Sequence, residues 1–342
     1  MGRWVVAIAI IGGCERQPIE LVPPLEIADP SVEVDATPPI LDTGPVSDTT
    51  TPVDPVCTAD TTVGPYGVDS IEIRSDDDFD FDADGFLVSR VQGSLLAFDR
   101  QGAHHPLSPS VWVDDVAGVR SLPSGDLLVV RPSYGQVQRL SGPSPWDTEL
   151  VPVMAGLAYP FGLEVASDGT AFVSEFIANG RVWSFDPDNG SAELVVELAY
   201  PNGLALSADE STLYVSISST GWTSGAIAAI DRDANGAWVG ASLRVVYEGQ
   251  QRLDALAVDV CDNLYASDPN GHVIRIRPDG TVEQLANLAG SPESGGYYGY
   301  PFTAMRFGAG LGGFDRTELF VATAVRLYAI DVGIDGRHVL AP

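Results

Sequence analysis

The stretch YPNGLALSADESTLYVSISSTGWTSGAIAAIDRDANG, residues 200–236, decides the fold. It contains three short apolar segments, and each is followed by a polar or glycine-containing turn. Gly and Asn favour such turns because they adopt positive φ at little cost. No helical periodicity runs through the stretch, so it predicts consecutive β-hairpins that form one small antiparallel sheet.

Five further copies of this pattern cover most of the chain. They begin at Asp76, Ala117, Tyr159, Leu253 and Tyr300. Successive copies start about 40 to 50 residues apart, which is typical of propeller blades. The repeat therefore predicts an all-β fold, a six-bladed β-propeller. Either the segment Val68–Ile73 or the C-terminal RHVLAP supplies the outer strand that closes the ring.

The charge balance excludes several classes of function. The chain has 18 Lys+Arg and 47 Asp+Glu, a formal net charge of -29. This charge repels a phosphate backbone, so we expect no nucleic-acid partner. Every basic residue other than histidine is arginine, which excludes a catalytic lysine.

The N-terminus indicates export. Arg3 precedes an apolar run, residues 4–11, that is too short to cross a bilayer. Gly12-Gly13-Cys14 completes a segment that resembles the lipobox of bacterial lipoproteins. We interpret residues 1–13 as a lipoprotein signal peptide and Cys14 as the lipidation site. This predicts membrane attachment in the bacterial cell envelope, and Glu15 favours the outer membrane. An ordinary cleaved signal or a misassigned start is the alternative.

Residues 14–63 form a second region, rich in Pro, Thr and Asp and without hydrophobic periodicity. Such a composition predicts a disordered linker that spans tens of ångströms at about 3.1 Å per residue. Residues 64–342 are assigned to the propeller. Cys57 and Cys261 remain once Cys14 is lipidated, and they form either a disulfide or two unpaired thiols.

Two quoted segments carry a family resemblance. YPNGLALSADESTLYVSIS with GAIAAIDRDANG, from Tyr200, and LDALAVDVCDNLYAS, from Leu253, resemble the family of senescence marker protein (regucalcin), gluconolactonases and luciferin-regenerating enzyme. The likeness covers residues 76–336 and is greatest in the third to fifth copies. It implies a six-bladed propeller that hydrolyses a lactone.

The resemblance also implies a divalent cation, commonly Ca²⁺, at the mouth of the central channel. In the family one Glu, two Asn-type residues and one Asp bind this cation. Asn202 and Asp254 match an Asn and the Asp, and Asp77 is nearest to the Glu. Phe161 stands at the second Asn position and cannot bind a metal. Read without the family, Asn202 is a turn residue, Asp254 a strand cap and the run 76–78 a solvated loop.

Two functions from different classes follow. The first is a metal-dependent hydrolase for a sugar-type lactone, in which Asp254 also orients or deprotonates the attacking water. Its substrate-binding candidates are Phe161, Glu175 and Trp222. The second is a non-catalytic, surface-anchored propeller that binds a protein, a glycan or a small molecule at its channel mouth.

Overall fold

The structure is a computed structural model, and its described residues lie in the second of the two units of the chain, residues 52–342. They are residue 57 and the ranges 66–75, 77–105, 113–141, 149–219, 224–249, 251–268, 270–288, 304–323 and 326–337. The predictions for the signal peptide, for Cys14 and for the linker lie outside these residues, apart from Cys57. Trp222 also lies outside them.

The described residues form six four-stranded antiparallel sheets, so the predicted six-bladed propeller is confirmed. The innermost strands of the six sheets are β2 (Phe79–Phe81), β6 (Gly118–Ser121), β10 (Pro160–Val165), β14 (Pro201–Leu206), β18 (Leu256–Val258) and β22 (Ala304–Phe307). The second and third strands are β3 (Leu87–Val91), β4 (Ser94–Phe98), β7 (Leu127–Arg131), β8 (Gln136–Leu140), β11 (Ala171–Glu175), β12 (Gly180–Phe185), β15 (Thr212–Ser218), β16 (Gly225–Asp231), β19 (Leu264–Ser267), β20 (His272–Ile276), β23 (Glu318–Ala322) and β24 (Leu327–Asp331). The outer strands are β1 (Val68–Ile71), β5 (His104–His105), β9 (Leu150–Ala155), β13 (Ala192–Leu198), β17 (Arg244–Gly249) and β21 (Val282–Asn287).

The N-terminal strand closes the ring. β1 pairs with β24 in the register Val68↔Ile330 to Ile71↔Leu327, so it becomes the outer strand of the sixth blade. Each inner strand contacts the next, and β22 contacts β2. The first of the two predicted closing segments is thus the one that the structure uses.

The core lies between neighbouring blades. Leu163 and Val173 of the third blade, for example, belong to the same buried cluster as Val130 of the second blade. Where the sixth blade meets the first, Phe81 packs against Phe314 with 5.0 Å between ring centroids. Burial on both faces explains why the inner strands show little alternation of apolar and polar residues.

The predicted hairpin turns have the expected backbone. Gly85, Gly125 and Gly169 have φ of 84°, 87° and 89°, each between the first two strands of its blade. Asp262 takes the equivalent role in the fifth blade with φ 60°. From residue 66 onward the described part of the chain has two 3-10 turns, Pro132–Tyr134 and Gly240–Ser242, as its only helical elements. None of the described helical segments has the length and apolar character needed to cross a membrane.

Candidate functional site

Glycine lets the inner strands approach closely around the channel. A Cβ atom on Gly162 would lie 2.0 Å from the carbonyl oxygen of Asn202. A Cβ atom on Gly203 would lie 2.3 Å from the carbonyl oxygen of Asp254. Both distances are far inside van der Waals contact, so only glycine fits. The inner strands that carry Gly162 and Asn202, and Asp254 just before β18, are therefore held close together at the mouth.

Buried serines fix the same backbone. The Ser174 hydroxyl donates to the carbonyl oxygen of Asn202 at 2.8 Å and accepts from the N–H of Gly162 at 2.9 Å. The Ser216 hydroxyl donates to the carbonyl oxygen of Asp254 at 2.9 Å. These bonds link the second strand of one blade to the inner strand of the next blade.

A cavity opens where the inner strands begin. With its opening to solvent included, it measures about 350 Å³. The residues that line it include Asp78, Arg120, Phe161, Asn202, Asp254 and Arg306. The structure thus brings three of the predicted site residues together at one end of the channel.

Asn202 and Asp254 are in direct contact. The Asn202 amide donates to Oδ1 of Asp254 at 2.6 Å, and Asn202 is only 3% exposed. Arg252 donates to the other carboxylate oxygen at 3.0 Å. Burial raises the pKa of Asp254, and the charge of Arg252 and the Asn202 bond oppose that rise while Asp78 adds to it. The carboxylate is therefore oriented by two donors and lies in a poorly solvated position.

The acidic run before the first inner strand places Asp78 in the cavity. Asp78 directly precedes β2 and forms an ion pair with Arg120 at 2.7 Å. It also accepts the N–H of Phe79 at 2.9 Å. Burial raises the pKa of Asp78, against the opposing charge of Arg120. Asp77, the residue predicted as a ligand, is not among those that line the cavity.

Below the cavity, charged side chains cross the channel. Glu164 accepts from Arg337 at 2.6 Å and lies 3.6 and 3.7 Å from Arg120 and Arg306. Burial raises the pKa of Glu164, and Arg337 and Arg120 oppose this. The N–H of Arg337 donates to the carbonyl oxygen of Val258 at 2.9 Å, which ties residue 337 to the inner strand of the fifth blade. A second cavity, of about 290 Å³, is lined by Glu164, Arg306 and Arg337.

These charged residues were not predicted from the sequence. One signal was available: Glu164 stands in the inner strand of the third copy, where the fourth and fifth copies have Ala205 and Ala257. An acidic residue that replaces alanine in a buried strand needs a partner. The sequence does not say which arginine supplies it.

Four aromatic side chains pack together in an aromatic wall, and of these Phe161 reaches the cavity. Phe161 lines the cavity and stacks on the half-exposed Tyr159, with 6.3 Å between ring centroids and 21° between planes. Phe176 lies 5.4 Å from Phe161 and 5.7 Å from Tyr200. Tyr159 and Tyr200 have positive φ, 57° and 46°, which is uncommon for tyrosine. The wall thus extends from the third blade to the fourth.

Glu175 lies outside the cavity. Its side chain is fully buried and accepts from Arg181 at 2.5 Å and from the N–H of Ala158 at 2.6 Å. These contacts make it part of the support of the third blade. Glu175, predicted from the sequence as a substrate-binding residue, is the last residue of β11.

Cys57 and Cys261 form a disulfide, with 5.3 Å between their Cα atoms. Cys261 lies in the turn after β18, at the other end of that strand from Asp254. The bond therefore joins the segment that precedes the propeller to the face opposite the mouth.

The residues of the mouth do not fit a divalent cation. Of the family's oxygen ligands, the chain offers Asn202 and Asp254, with Asp78 as a third, and Phe161 fills the fourth position. Both carboxylates are already paired with arginine. Across the described part of the chain, no three or more His, Cys, Asp or Glu side chains are grouped so that they could hold a metal ion.

Comparisons with known proteins agree with this architecture. Residues 146–292 match the family model described as the SMP-30/Gluconolactonase/LRE-like region, which confirms the resemblance in the third to fifth blades. None of the curated proteins matches the chain in sequence.

Solved structures show the same fold over most of the chain. A gluconolactonase from Xanthomonas campestris has 20% identity and a TM-score of 0.62, covering 80% of this chain and 91% of its own. A luciferin-regenerating enzyme has 15% identity and a TM-score of 0.57, covering 81% and 100%. The calcium-binding protein regucalcin from Agrobacterium tumefaciens has 14% identity and a TM-score of 0.56, covering 80% and 94%. These likenesses show a six-bladed β-propeller, and residues 146–292 of it are similar to the SMP-30/Gluconolactonase/LRE-like region.

Proposed function

We propose that the protein is a hydrolase that opens a small lactone at the channel mouth, with Asp254 as its proton-transferring carboxylate. The observation that carries the proposal is the position of Asp254. Its carboxylate lines the cavity, is held by Asn202 and Arg252, and has a pKa raised by burial. A raised pKa brings a carboxylate closer to the range in which it accepts a proton efficiently.

In this reaction Asp254 takes a proton from a water molecule as the water oxygen attacks the lactone carbonyl carbon. The carbonyl electrons move to oxygen, and the fixed positive charge of Arg120 at the cavity wall stabilises that oxyanion. The oxyanion then collapses and the ring C–O bond breaks. The departing alkoxide takes the proton from Asp254, so the product is a hydroxy acid and the carboxylate is restored.

The aromatic wall supports a cyclic substrate. Phe161 lines the same cavity as Asp254 and stacks on Tyr159, which is 49% exposed, so the cavity has an apolar aromatic side. A lactone ring can lie against such a surface with its carbonyl toward the polar side of the cavity.

The test is lactone hydrolysis by the wild-type chain and by Asp254→Asn. Acid release from a sugar lactone and from an aliphatic γ-lactone is followed with a pH indicator. We expect the substitution to lower kcat/KM by at least about 100-fold, because a positioned acid–base group contributes about that much. Asp188→Asn is the matched control, since its side chain is 80% exposed on an outer turn. A wild-type rate equal to spontaneous hydrolysis would reject the proposal.

A non-catalytic ligand-binding propeller is the second candidate. Phe161 favours it, because an apolar ring replaces a polar ligand position at the mouth. Binding of a lactone or its hydroxy acid by wild-type protein without turnover, lost in Phe161→Ala, would favour this function over hydrolysis.

A further inference from the structure

Each carboxylate at the cavity already has a buried cationic partner. Asp78 pairs with Arg120 at 2.7 Å, and Asp254 pairs with Arg252 at 3.0 Å. The side chains of both arginines are 7% exposed. These four side chains therefore form two close ion pairs at the mouth.

A divalent cation would compete with these pairs. To bind both carboxylates it would have to displace Arg120 and Arg252, and each guanidinium would then lose its close aspartate contact in a buried position. Breaking a buried pair in this way is strongly unfavourable. If the pairs stayed intact, the cation would face Arg120 and Arg306, which also line the cavity. Like charge in a poorly solvated site repels strongly.

The arginines can supply the charge that a divalent cation would bring. One divalent cation carries the same charge as two guanidinium groups, and both offset two carboxylates. An arginine stays charged across the whole working pH range and donates several hydrogen bonds in fixed directions. It can therefore hold a carboxylate and stabilise a nearby oxyanion as a cation does.

We propose that Arg120 and Arg252 take the place of a divalent cation at this mouth, so that the site operates without a metal. The inference rests on the proposed function for the place of the site. The inference is tested by cation binding, so failure to hydrolyse lactones does not contradict it. The proposed function is tested separately, by the hydrolysis assay.

The experiment is a calorimetric Ca²⁺ titration of the chelator-treated full chain. We expect no binding at micromolar Ca²⁺ by the wild type. In Arg252→Gln the Asp254 carboxylate loses its cation but keeps the Asn202 contact. We expect this variant to bind Ca²⁺ at least about tenfold more tightly than the wild type, because one repelling charge next to the site is removed.

Because Arg252→Gln is expected to destabilise the protein, a second measurement follows the thermal unfolding midpoint with and without Ca²⁺. Ca²⁺ should raise the thermal unfolding midpoint of this variant and leave that of the wild type unchanged, because a ligand stabilises the state that binds it. Arg252→Lys retains the charge and should gain no binding. Arg244→Gln is the matched control, since this arginine is 47% exposed and pairs with Asp231 on the outer surface.

The Phe161→Asn variant tests whether Ca²⁺ binding is prevented by the arginine charges or by the missing oxygen ligand. It restores the oxygen that the family has at this position but leaves both arginines in place, so we expect it to remain without Ca²⁺ binding. Micromolar binding by the wild type that is lost in the Asn202→Ala/Asp254→Ala variant would overturn the inference. So would Ca²⁺ binding gained by Phe161→Asn alone, or an Arg252→Gln variant that gains neither binding nor a Ca²⁺-dependent rise in its midpoint.

Discussion

Asp82 illustrates how one buried carboxyl couples the fold to pH. It precedes the hairpin turn at Asp84-Gly85 and is 3% exposed. Its Oδ1 accepts the N–H of Phe86 at 2.8 Å and that of Asp84 at 3.1 Å. Its Oδ2 is buried with no hydrogen-bond partner among the described residues. Burial, only partly opposed by these bonds, raises the pKa of Asp82 to about 6.

The sign of the pH effect follows from this raised value. Between about pH 4 and pH 6 the folded chain holds a proton on Asp82 that the unfolded chain has released. Protons then favour the folded state, so the contribution of Asp82 to stability falls as pH rises through this window.

Asp82→Asn should remove this pH dependence. The amide keeps an acceptor for Phe86 and cannot ionise. Relative to wild type, the variant should therefore gain up to about 3 kcal/mol in free energy of unfolding between pH 4 and pH 7. Urea denaturation at each pH measures the difference, with Asp69→Asn, an exposed residue of β1, as control. Identical pH profiles for wild type and Asp82→Asn would contradict the assigned pKa.

Site residues could be predicted from the sequence where the repeat pattern marks a single position. Asn202 and Asp254 follow the start of their repeats, and the structure brings them into contact. Asp77 was selected from three consecutive aspartates, in which sequence offers no landmark to separate neighbours, and the cavity contains Asp78 instead. The partnership of Arg120 with Asp78 is set by the packing of two blades, 42 residues apart in sequence, and no local pattern encodes it.

The inner strands were predictable as elements because their turns carry a chemical signature. Asp84-Gly85 and Asp168-Gly169 reverse the chain between the first two strands of their blades, and both glycines have positive φ. The spacing between strands of neighbouring blades was not predictable in the same way. It depends on atoms of two blades, such as Gly203 and the carbonyl oxygen of Asp254.

Gly203→Ala tests that spacing. The added methyl would lie 2.3 Å from the Asp254 carbonyl oxygen, so β14 and β18 must separate. We expect a loss of about 1–3 kcal/mol in free energy of unfolding, as for other overpacked positions. Because Asp254 lies on the displaced segment, lactone hydrolysis should fall more than the unfolding of the variant explains.

Gly240→Ala provides the comparison for this change. No atom lies within 4 Å of the Cβ position of Gly240, so the same substitution should leave stability and hydrolysis nearly unchanged. Thermal unfolding and initial rates of the two variants are compared at one temperature. Equal stability and equal rates for both variants would show that the inner strands are not in tight contact at Gly203.

The ring as a unit depends on contacts between the two ends of the domain. β1 joins the sixth blade through its pairing with β24, so residues 68–71 and 327–330 hold the first and last blades together. The Cys57–Cys261 disulfide adds a covalent link, with a sequence separation of 204 residues. The repeat count predicted six blades, and the two cysteines offered a pairing. The repeats do not specify the position of Cys57, because it precedes β1. The disulfide with Cys261 could therefore not be predicted from them.

A link over so long a stretch should restrict the unfolded chain strongly. The Cys57→Ser/Cys261→Ser variant should lose about 2–5 kcal/mol in free energy of unfolding, the usual cost of removing a native disulfide. Urea denaturation with and without a reductant measures this. Reductant should destabilise the wild type toward the level of the variant and leave the variant unchanged. A wild type that does not respond to a reductant that opens the bond would show that pairing of β1 with β24 suffices to close the ring. Loss of stability without loss of hydrolysis would place the disulfide outside the catalytic machinery, as expected from its position on the face opposite Asp254.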